Sequence, residues 1–332
     1  MSLNIEHIIQ QQEWASLLTP ADFEACALEV FRYQQLHCAI YRDFIRAAGR
    51  DMPEVTTILD IPFLPISFFK THQVVSGNFQ PQAVFESSGT TAMQSSKHLV
   101  KDIAVYRESF LSGFRQFYGA PQEYVFLCLL PSYIERGNSS LVYMADELIR
   151  QSGNPESGFY LNEWPRLAAI LKGLKKKQQK TILLGVTFAL LDFAEQYPMD
   201  LSGIIVMETG GMKGRREEWT RDQVHNFLKE KWNLQGVHSE YGMTELLSQA
   251  YSKGDGTYWP ANSMKVLVRD ENDPFELRTS GSGCLNVIDL ANVHSCSFIA
   301  TDDIAKIADN GGFEVMGRLD HSALRGCSLM VV

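Results

Sequence analysis

Val125-Phe126-Leu127-Cys128-Leu129-Leu130 is an unbroken apolar run that reads as a buried strand, and the segments after it decide the fold. Downstream, a helix is expected from about Ser139, a strand over Thr181 to Leu184 and a helix from about Thr187. A strand over Ile204 to Met207 and a helix around Arg216 to Lys231 follow. Strands and helices taking turns in this way predict parallel crossovers and an α/β core. Upstream, Thr19-Pro20 is a helix start, with a hydroxyl cap and proline at the first helical position, and Phe23, Ala27, Val30 and Phe31 share one face. This opening reads as a helical cover. Ile61-Pro62-Phe63-Leu64-Pro65 is a rigid extended connection because its prolines cannot continue a helix. Val84-Phe85 is a strand end, and Ile103, Tyr106, Phe110, Phe114 and Phe117 trace a helical stripe of core aromatics.

After about residue 250 the texture becomes glycine-punctuated β segments: Met264 to Val268, Phe275 to Arg278, Leu285 to Asp289, Cys296 to Ala300 and Phe313 to Met316. The expected division is therefore 1–250, a helical cover with an α/β core, and 251–332, a β-rich subdomain packed on it. The length of 332 residues fits one large or two closely packed units. A formal charge of -9 argues against nucleic acid or an anionic membrane as partner, since either would repel most of the surface. The longest apolar run is too short to span a bilayer, and Met1-Ser2-Leu3-Asn4 lacks the basic start of a secretory signal, so the expected location is the cytoplasm. Six cysteines are scattered without zinc or disulfide spacing. The Lys172, Lys175, Lys176, Lys177 and Lys180 cluster reads as a solvated helix face.

Chemistry concentrates in a few stretches. Ser87-Ser88-Gly89-Thr90-Thr91-Ala92-Met93-Gln94-Ser95-Ser96-Lys97 crowds hydroxyls and a glycine into one turn, which suits an anion cradle as well as a solvated surface loop. Glu208-Thr209-Gly210-Gly211 follows a strand, where the glycines let a backbone pass close to a flat ligand or simply make a left-handed turn. Ser239-Glu240-Tyr241-Gly242-Met243-Thr244-Glu245 joins an aromatic for stacking, a hydroxyl for phosphate and a carboxylate able to hold Mg²⁺. Thr301-Asp302-Asp303 ends a β segment with acids that can accept hydrogen bonds from a ribose diol, and Gly317-Arg318 adds a cation. Cys327 follows Arg325-Gly326; it is either a thiol activated by its neighbouring cation or a small residue ending the last β element.

The order of these stretches, phosphate loop, Tyr-Gly-x-Thr-Glu, Thr-x-Asp and Gly-Arg, resembles the adenylate-forming superfamily of acyl-CoA synthetases, luciferases and peptide-synthetase adenylation domains. The resemblance covers roughly residues 60 to 327. Pro131-Ser132-Tyr133, Glu208 to Lys213 and Arg325 to Ser328 look most like the acyl-protein synthetases of the bacterial bioluminescence fatty-acid reductase complex, with phenylacetate-CoA ligases as relatives. The resemblance implies the superfamily's α/β large domain, parallel-sheet layers with a β-rich subdomain. It implies ATP phosphates at Ser87, Ser88, Gly89, Thr90, Thr91 and Lys97, and a nucleotide lying against Thr209, Gly210, Gly211 and Gly242. Tyr241 would stack on adenine, Thr244 would touch phosphate, Glu245 would bind Mg²⁺, and Asp303 with Arg318 would hold the ribose. Ala92 and Gln94 depart from the glycine and proline usual in the phosphate motif, Lys97 lies about two positions beyond its lysine, and Asp302 replaces a glycine. The chain stops at Val332, where members with a second catalytic domain continue for on the order of a hundred residues. The expectation is thus a large domain without the small lysine-bearing one.

The function so implied is ATP-dependent activation of a carboxylic acid, a fatty acid in the first reading, with Thr90, Thr91 and Glu245 assisting the chemistry. The acyl group then passes to a thiol, that of Cys327, and on to an acyl-CoA reductase-like partner protein. A ligase whose acceptor is CoA or a carrier protein is the second reading, and an acyl-binding or scaffold subunit without adenylation the third. The acyl cavity is expected along Val125 to Tyr133 and Gly185 to Leu191.

Overall fold

The computed structural model describes residues 19–49, 55–87, 95–131, 137–210, 219–271 and 273–319. The chain opens with α1 (Pro20–His37) and α2 (Ala39–Ala47), then β1 (Leu64–Pro65) and the single turn α3 (Phe68–Thr71). The hairpin β2 (Ala83–Glu86) and β3 (Lys97–Val100) precedes α4 (Ile103–Tyr118). The alternating region runs β4 (Val125–Leu129), α5 (Ser140–Ser152), β5 (Gly158–Phe159), α6 (Trp164–Lys176), β6 (Thr181–Val186), α7 (Thr187–Gln196), β7 (Ile205–Thr209) and α8 (Arg221–Trp232). Strands β8 (His238–Tyr241), β9 (Ala250–Ser252), β10 (Trp259–Pro260), β11 (Met264–Arg269), β12 (Leu277–Arg278), β13 (Gly281–Asp289), β14 (Phe298–Ile307) and β15 (Phe313–Arg318) complete it.

A seven-stranded sheet has the order β10-β9-β8-β7-β6-β4-β5, and β5, β4, β6, β7 and β8 are parallel, as the alternation predicts. Every residue of β4 and β6 is buried, because helices cover a parallel sheet on both faces and leave it no wet side. α5 packs on β4, α7 on β6 and β7, and α8 on α7. The second sheet has the order β1-β14-β13-β11-β12, with β15 also on β14. α1 covers its edge: the buried Gln34 amide donates to the carbonyls of Asn292 and Val293 and accepts from the amide of Ser297. Thr19 and Asp22 cap α1 reciprocally, and Thr220 with Gln223 does the same for α8. That second box explains why α8 begins at Arg221 and not near Arg216, a residue outside those described.

The extended Ile61 to Pro65 connection also pairs, since Leu64 and Pro65 form a short parallel edge against Ile299 and Ala300, where a missing N–H is tolerated. Other sequence expectations change. Thr301-Asp302-Asp303 does not end its strand, since β14 runs on to Ile307 and pairs with β15 on the far side of the acids. Phe275 and Glu276 precede β12 and are not part of it. Val125 to Leu130 and Gly185 to Leu191 are buried except the half-buried Phe188, and a Cβ on Gly185 would come within 2.8 Å of Leu190.

An aromatic cluster joins the N-terminal helices to the second sheet. Phe298 is fully buried, with ring centroids 6.0 Å from each of Phe31, Tyr41 and Phe63, and so joins α1, α2, the β1 connection and β14. Phe298→Ala is expected to lower the free energy of unfolding by about 3–5 kcal/mol, read by denaturant titration, because the cavity borders four separate segments. A loss under about 1 kcal/mol would mean that the site collapses freely.

Candidate functional site

The carboxyl ends of β7 and β8 lie side by side, as the pairing of Thr209 with Glu240 shows, and β8 leads directly into the Tyr241 to Glu245 stretch. Tyr241 is the last strand residue and is 9% exposed; its hydroxyl donates to Oδ2 of Asp303 at 2.7 Å. The other carboxylate oxygen of Asp303 accepts from Nε of Arg318 at 2.9 Å. This line of three side chains ties the parallel sheet to β14 and β15. Asp303 and Arg318 are opposed in the antiparallel register, so one ladder places both groups. Asp303 is 4% exposed, whereas the Arg318 side chain is largely exposed, so the pair has one dry and one wet end. Burial and the neighbouring Asp303 charge push the Tyr241 phenol well above its ordinary range, so it remains a donor. Its ring meets Tyr258 and Phe313 edge to face, at 5.8 and 5.6 Å.

Glu245 sits one turn further on and is 5% exposed. Burial raises its pKa, opposed by a hydrogen bond from the Ser96 side chain and by the charges of Lys70 and Arg318. Its backbone carbonyl accepts from Asn292 Nδ2 at 2.7 Å. Ser96 closes the base of the hydroxyl-rich loop: its amide donates to Ser87 Oγ at 2.9 Å, and the amide of Ser87 donates back to its carbonyl at 3.1 Å. Glu245 and the root of the candidate phosphate loop are therefore in direct contact. Lys97 turns elsewhere, toward Glu86 at 3.3 Å, in a pair exposed enough to contribute little stability.

The loop after β8 is pinned from two sides. His98 on β3 is buried and donates through Nδ1 to the carbonyl of Thr244 at 2.9 Å, and burial lowers its pKa to about 4, which keeps the ring neutral at physiological pH. Asp289 at the end of β13 accepts from the amides of Leu247 and Ser248 at 2.7 and 3.0 Å and from the Ser248 hydroxyl at 2.6 Å. Ser96, His98 and Asp289 were not singled out in the sequence. His98 and Asp289 owe their roles to partners more than forty residues away, and Ser96 meets Glu245 as well as its near neighbour Ser87, contacts that no local spacing signals.

At the end of β7, the Thr209 hydroxyl donates to Glu240 Oε2. Gly210 adopts φ of +68°, a left-handed turn that a side chain would strain, and its carbonyl lies 2.9 Å from the Thr187 hydroxyl. Gly242 has no room for a side chain, since a Cβ would lie 2.5 Å from Glu240 Oε1. Of the residues picked out by sequence, Ser87, Lys97, Thr209, Gly210, Tyr241, Gly242, Thr244, Glu245, Asp303 and Arg318 are described. Ser88, Gly89, Thr90, Thr91, Gly211 and Cys327 lie outside the described residues.

The architecture is that of the large domain of adenylate-forming ligases. Over 71% of this chain it superposes on ATP-bound MatB from Rhodopseudomonas palustris, with a TM-score of 0.53 and 18% identity, and it spans 48% of that protein. A 2-hydroxyisobutyryl-CoA ligase in complex with its acyl-adenylate and CoA matches over 92% of this chain and 81% of its own, with a TM-score of 0.64 and 13% identity. At such identities the likeness speaks for the fold alone. In sequence, a long-chain-fatty-acid–luciferin-component ligase from Photorhabdus luminescens is 38% identical over 69 residues, 20% of this chain and 59% of that relative. These proteins are of the type that the motifs resemble. No family model matches the chain. Among the described residues, no helix is long and apolar enough to cross a membrane.

Proposed function

We propose that the protein activates a carboxylic acid with ATP, forming an acyl-adenylate, and transfers the acyl group to a thiol. The observation that carries this reading is the convergence of Tyr241, Asp303 and Arg318 beside a Glu245 carboxylate in contact with the root of the Ser87 to Lys97 loop. Among the described residues, each oxygen of Asp303 accepts one hydrogen bond, which leaves lone pairs for the two hydroxyls of a ribose. Arg318, at the wet end, balances the charge of that carboxylate or of a phosphate.

In the first half-reaction a carboxylate oxygen of the acid attacks the α-phosphorus. An O–P bond forms, the α–β anhydride bond breaks, and pyrophosphate leaves with the electron pair. Two anions must be held together, so the protein's contribution is position and positive potential. Hydroxyls and amides of the loop, with Ser87 and Ser96 fixing its base, serve this purpose. Glu245 is an oxygen donor suited to a hard cation, and Mg²⁺ commonly takes one or two protein carboxylates and completes its shell from phosphates and water. When bound, that ion would offset charge on the phosphates. In the second half-reaction a thiolate attacks the acyl carbonyl, a C–S bond forms, and AMP departs with the electron pair.

The finer reading takes a fatty acid as substrate, Cys327 as the thiol and an acyl-CoA reductase-like protein as recipient. It draws on the local identity to the luciferin-component ligase and on the Arg325-Gly326-Cys327 stretch. A CoA or carrier-protein thiol is the alternative, supported by the fold shared with CoA ligases. Incubation with ATP and a labelled fatty acid separates them. Label retained through denaturation by the wild type and lost in Cys327→Ser is expected. Label that appears only on added CoA or carrier protein would overturn self-acylation.

A further inference from the structure

Glu240 is unused by the chemistry above, yet it lies beside Tyr241, between the end of β7 and the turn after β8. Its position on β8 directs it to the face of the sheet shared with Thr209, its partner in the β7–β8 register. One carboxyl oxygen receives the Thr209 hydroxyl and the other lies over the α-carbon of Gly242, so near that any Cβ there would reach it at 2.5 Å. Thr209 precedes Gly210 and the glycine-bearing turn; Gly242 follows Tyr241. One side chain therefore links Thr209 at the end of β7 to Gly242 in the turn after β8.

We propose that Glu240 is a positioning residue for the nucleotide, clamping the end of β7 to the turn after β8 through Thr209 and Gly242. It does so as the neutral acid. The inference rests on the adenylation reading above. Glu240 is 7% exposed, and the groups that face it are Glu208 on β7, Tyr106 and Tyr118 on α4, Tyr251 on β9 and Tyr258 before β10. Glu208 is itself held by the Thr187 hydroxyl at 3.0 Å and lies 3.6 Å from His225 Nε2. A second negative charge beside Glu208 has no cation to meet among the groups acting on Glu240, and burial with that neighbour pushes the Glu240 carboxyl up to about 7. The ligand adds more charge of the same sign. A site that receives a polyphosphate and a carboxylate is thus compatible with the protonated form and opposed by the ionised one. Nucleotide binding should hold the proton on Glu240, and affinity should fall as pH rises through the region of 7.

The test is the Kd of ATP by calorimetry between pH 6 and pH 9 for wild type, Glu240→Gln and Glu240→Ala. If only the protonated form binds, wild-type Kd rises about 20-fold from pH 6.5 to 8.5. Glu240→Gln keeps the hydrogen-bonding shape without the titration, so it should bind as the low-pH wild type does and show only the shallow dependence of ATP's own last proton. Glu240→Ala should bind more weakly at every pH, which distinguishes a clamp from a mere charge. Wild-type binding with the same pH dependence as Glu240→Gln, or unimpaired binding by Glu240→Ala, would overturn the inference and leave adenylation standing. Absence of ATP binding by all three proteins at every pH would remove the adenylation reading and this inference with it.

Discussion

Asp303→Ala is expected to weaken ATP binding by about 100-fold, the equivalent of losing two charge-assisted hydrogen bonds of about 1.5 kcal/mol each. The same change removes the buried acceptor of Tyr241 and the counter-charge of Arg318, so the fold should also lose about 1–3 kcal/mol. Asp303→Asn separates these effects. Its amide oxygen still accepts from Tyr241, which preserves most of the stability, while its NH₂ faces the Arg318 guanidinium with the wrong sign and cannot accept from a second hydroxyl. Calorimetry of ATP binding together with denaturant titration reads both quantities. Full ATP affinity in Asp303→Asn would place the ribose elsewhere.

Glu245→Gln should have the opposite profile, a large loss of rate with no loss of stability. Burial raises the pKa of this carboxyl, so its ionised form is disfavoured by the folded protein relative to the unfolded chain. The sign follows directly: the ionised group opposes folding more as pH rises through its folded pKa, and a neutral isostere removes that opposition. A residue kept at a cost to stability is one expected to serve a ligand. Removing an electrostatic contribution of this kind typically costs about 10²–10³ in rate. Single-turnover release of pyrophosphate, compared with the unfolding midpoint at pH 7.5, checks both halves. A destabilised variant with unaltered turnover would make Glu245 a structural group.

What could be read from the sequence follows a physical divide. β4 and β6 are legible because strands covered on both faces are mostly apolar, β7 through the apolar Ile205 to Met207 that precede Glu208 and Thr209, and α4 because its aromatics repeat at helical spacing. β8 was legible as a motif and not as a strand: His-Ser-Glu-Tyr offers no apolar pattern, and its buried polar groups are compensated by Tyr118, His225, Thr209 and Asp303, all distant in sequence. The acids of β14 looked like a strand end for the same reason, since Tyr241 and Arg318 complete Asp303 from outside its own segment. Tyr241, Glu245, Asp303 and Arg318 are candidates by residue type and order along the chain. Ser96 and Glu240 lie inside the same stretches with no role of their own, and His98 and Asp289 outside them, because a supporting residue is defined by its partners, and partners are settled only by the fold.

Adenylation itself is tested most directly by exchange of labelled pyrophosphate into ATP in the presence of a panel of fatty and aromatic carboxylates with Mg²⁺. Exchange that requires both a carboxylate and Mg²⁺, and that falls by at least about 100-fold in Glu245→Gln, is expected. ATP binding without exchange for any acid, or exchange unaltered in Glu245→Gln, would contradict acyl-adenylate formation at this site.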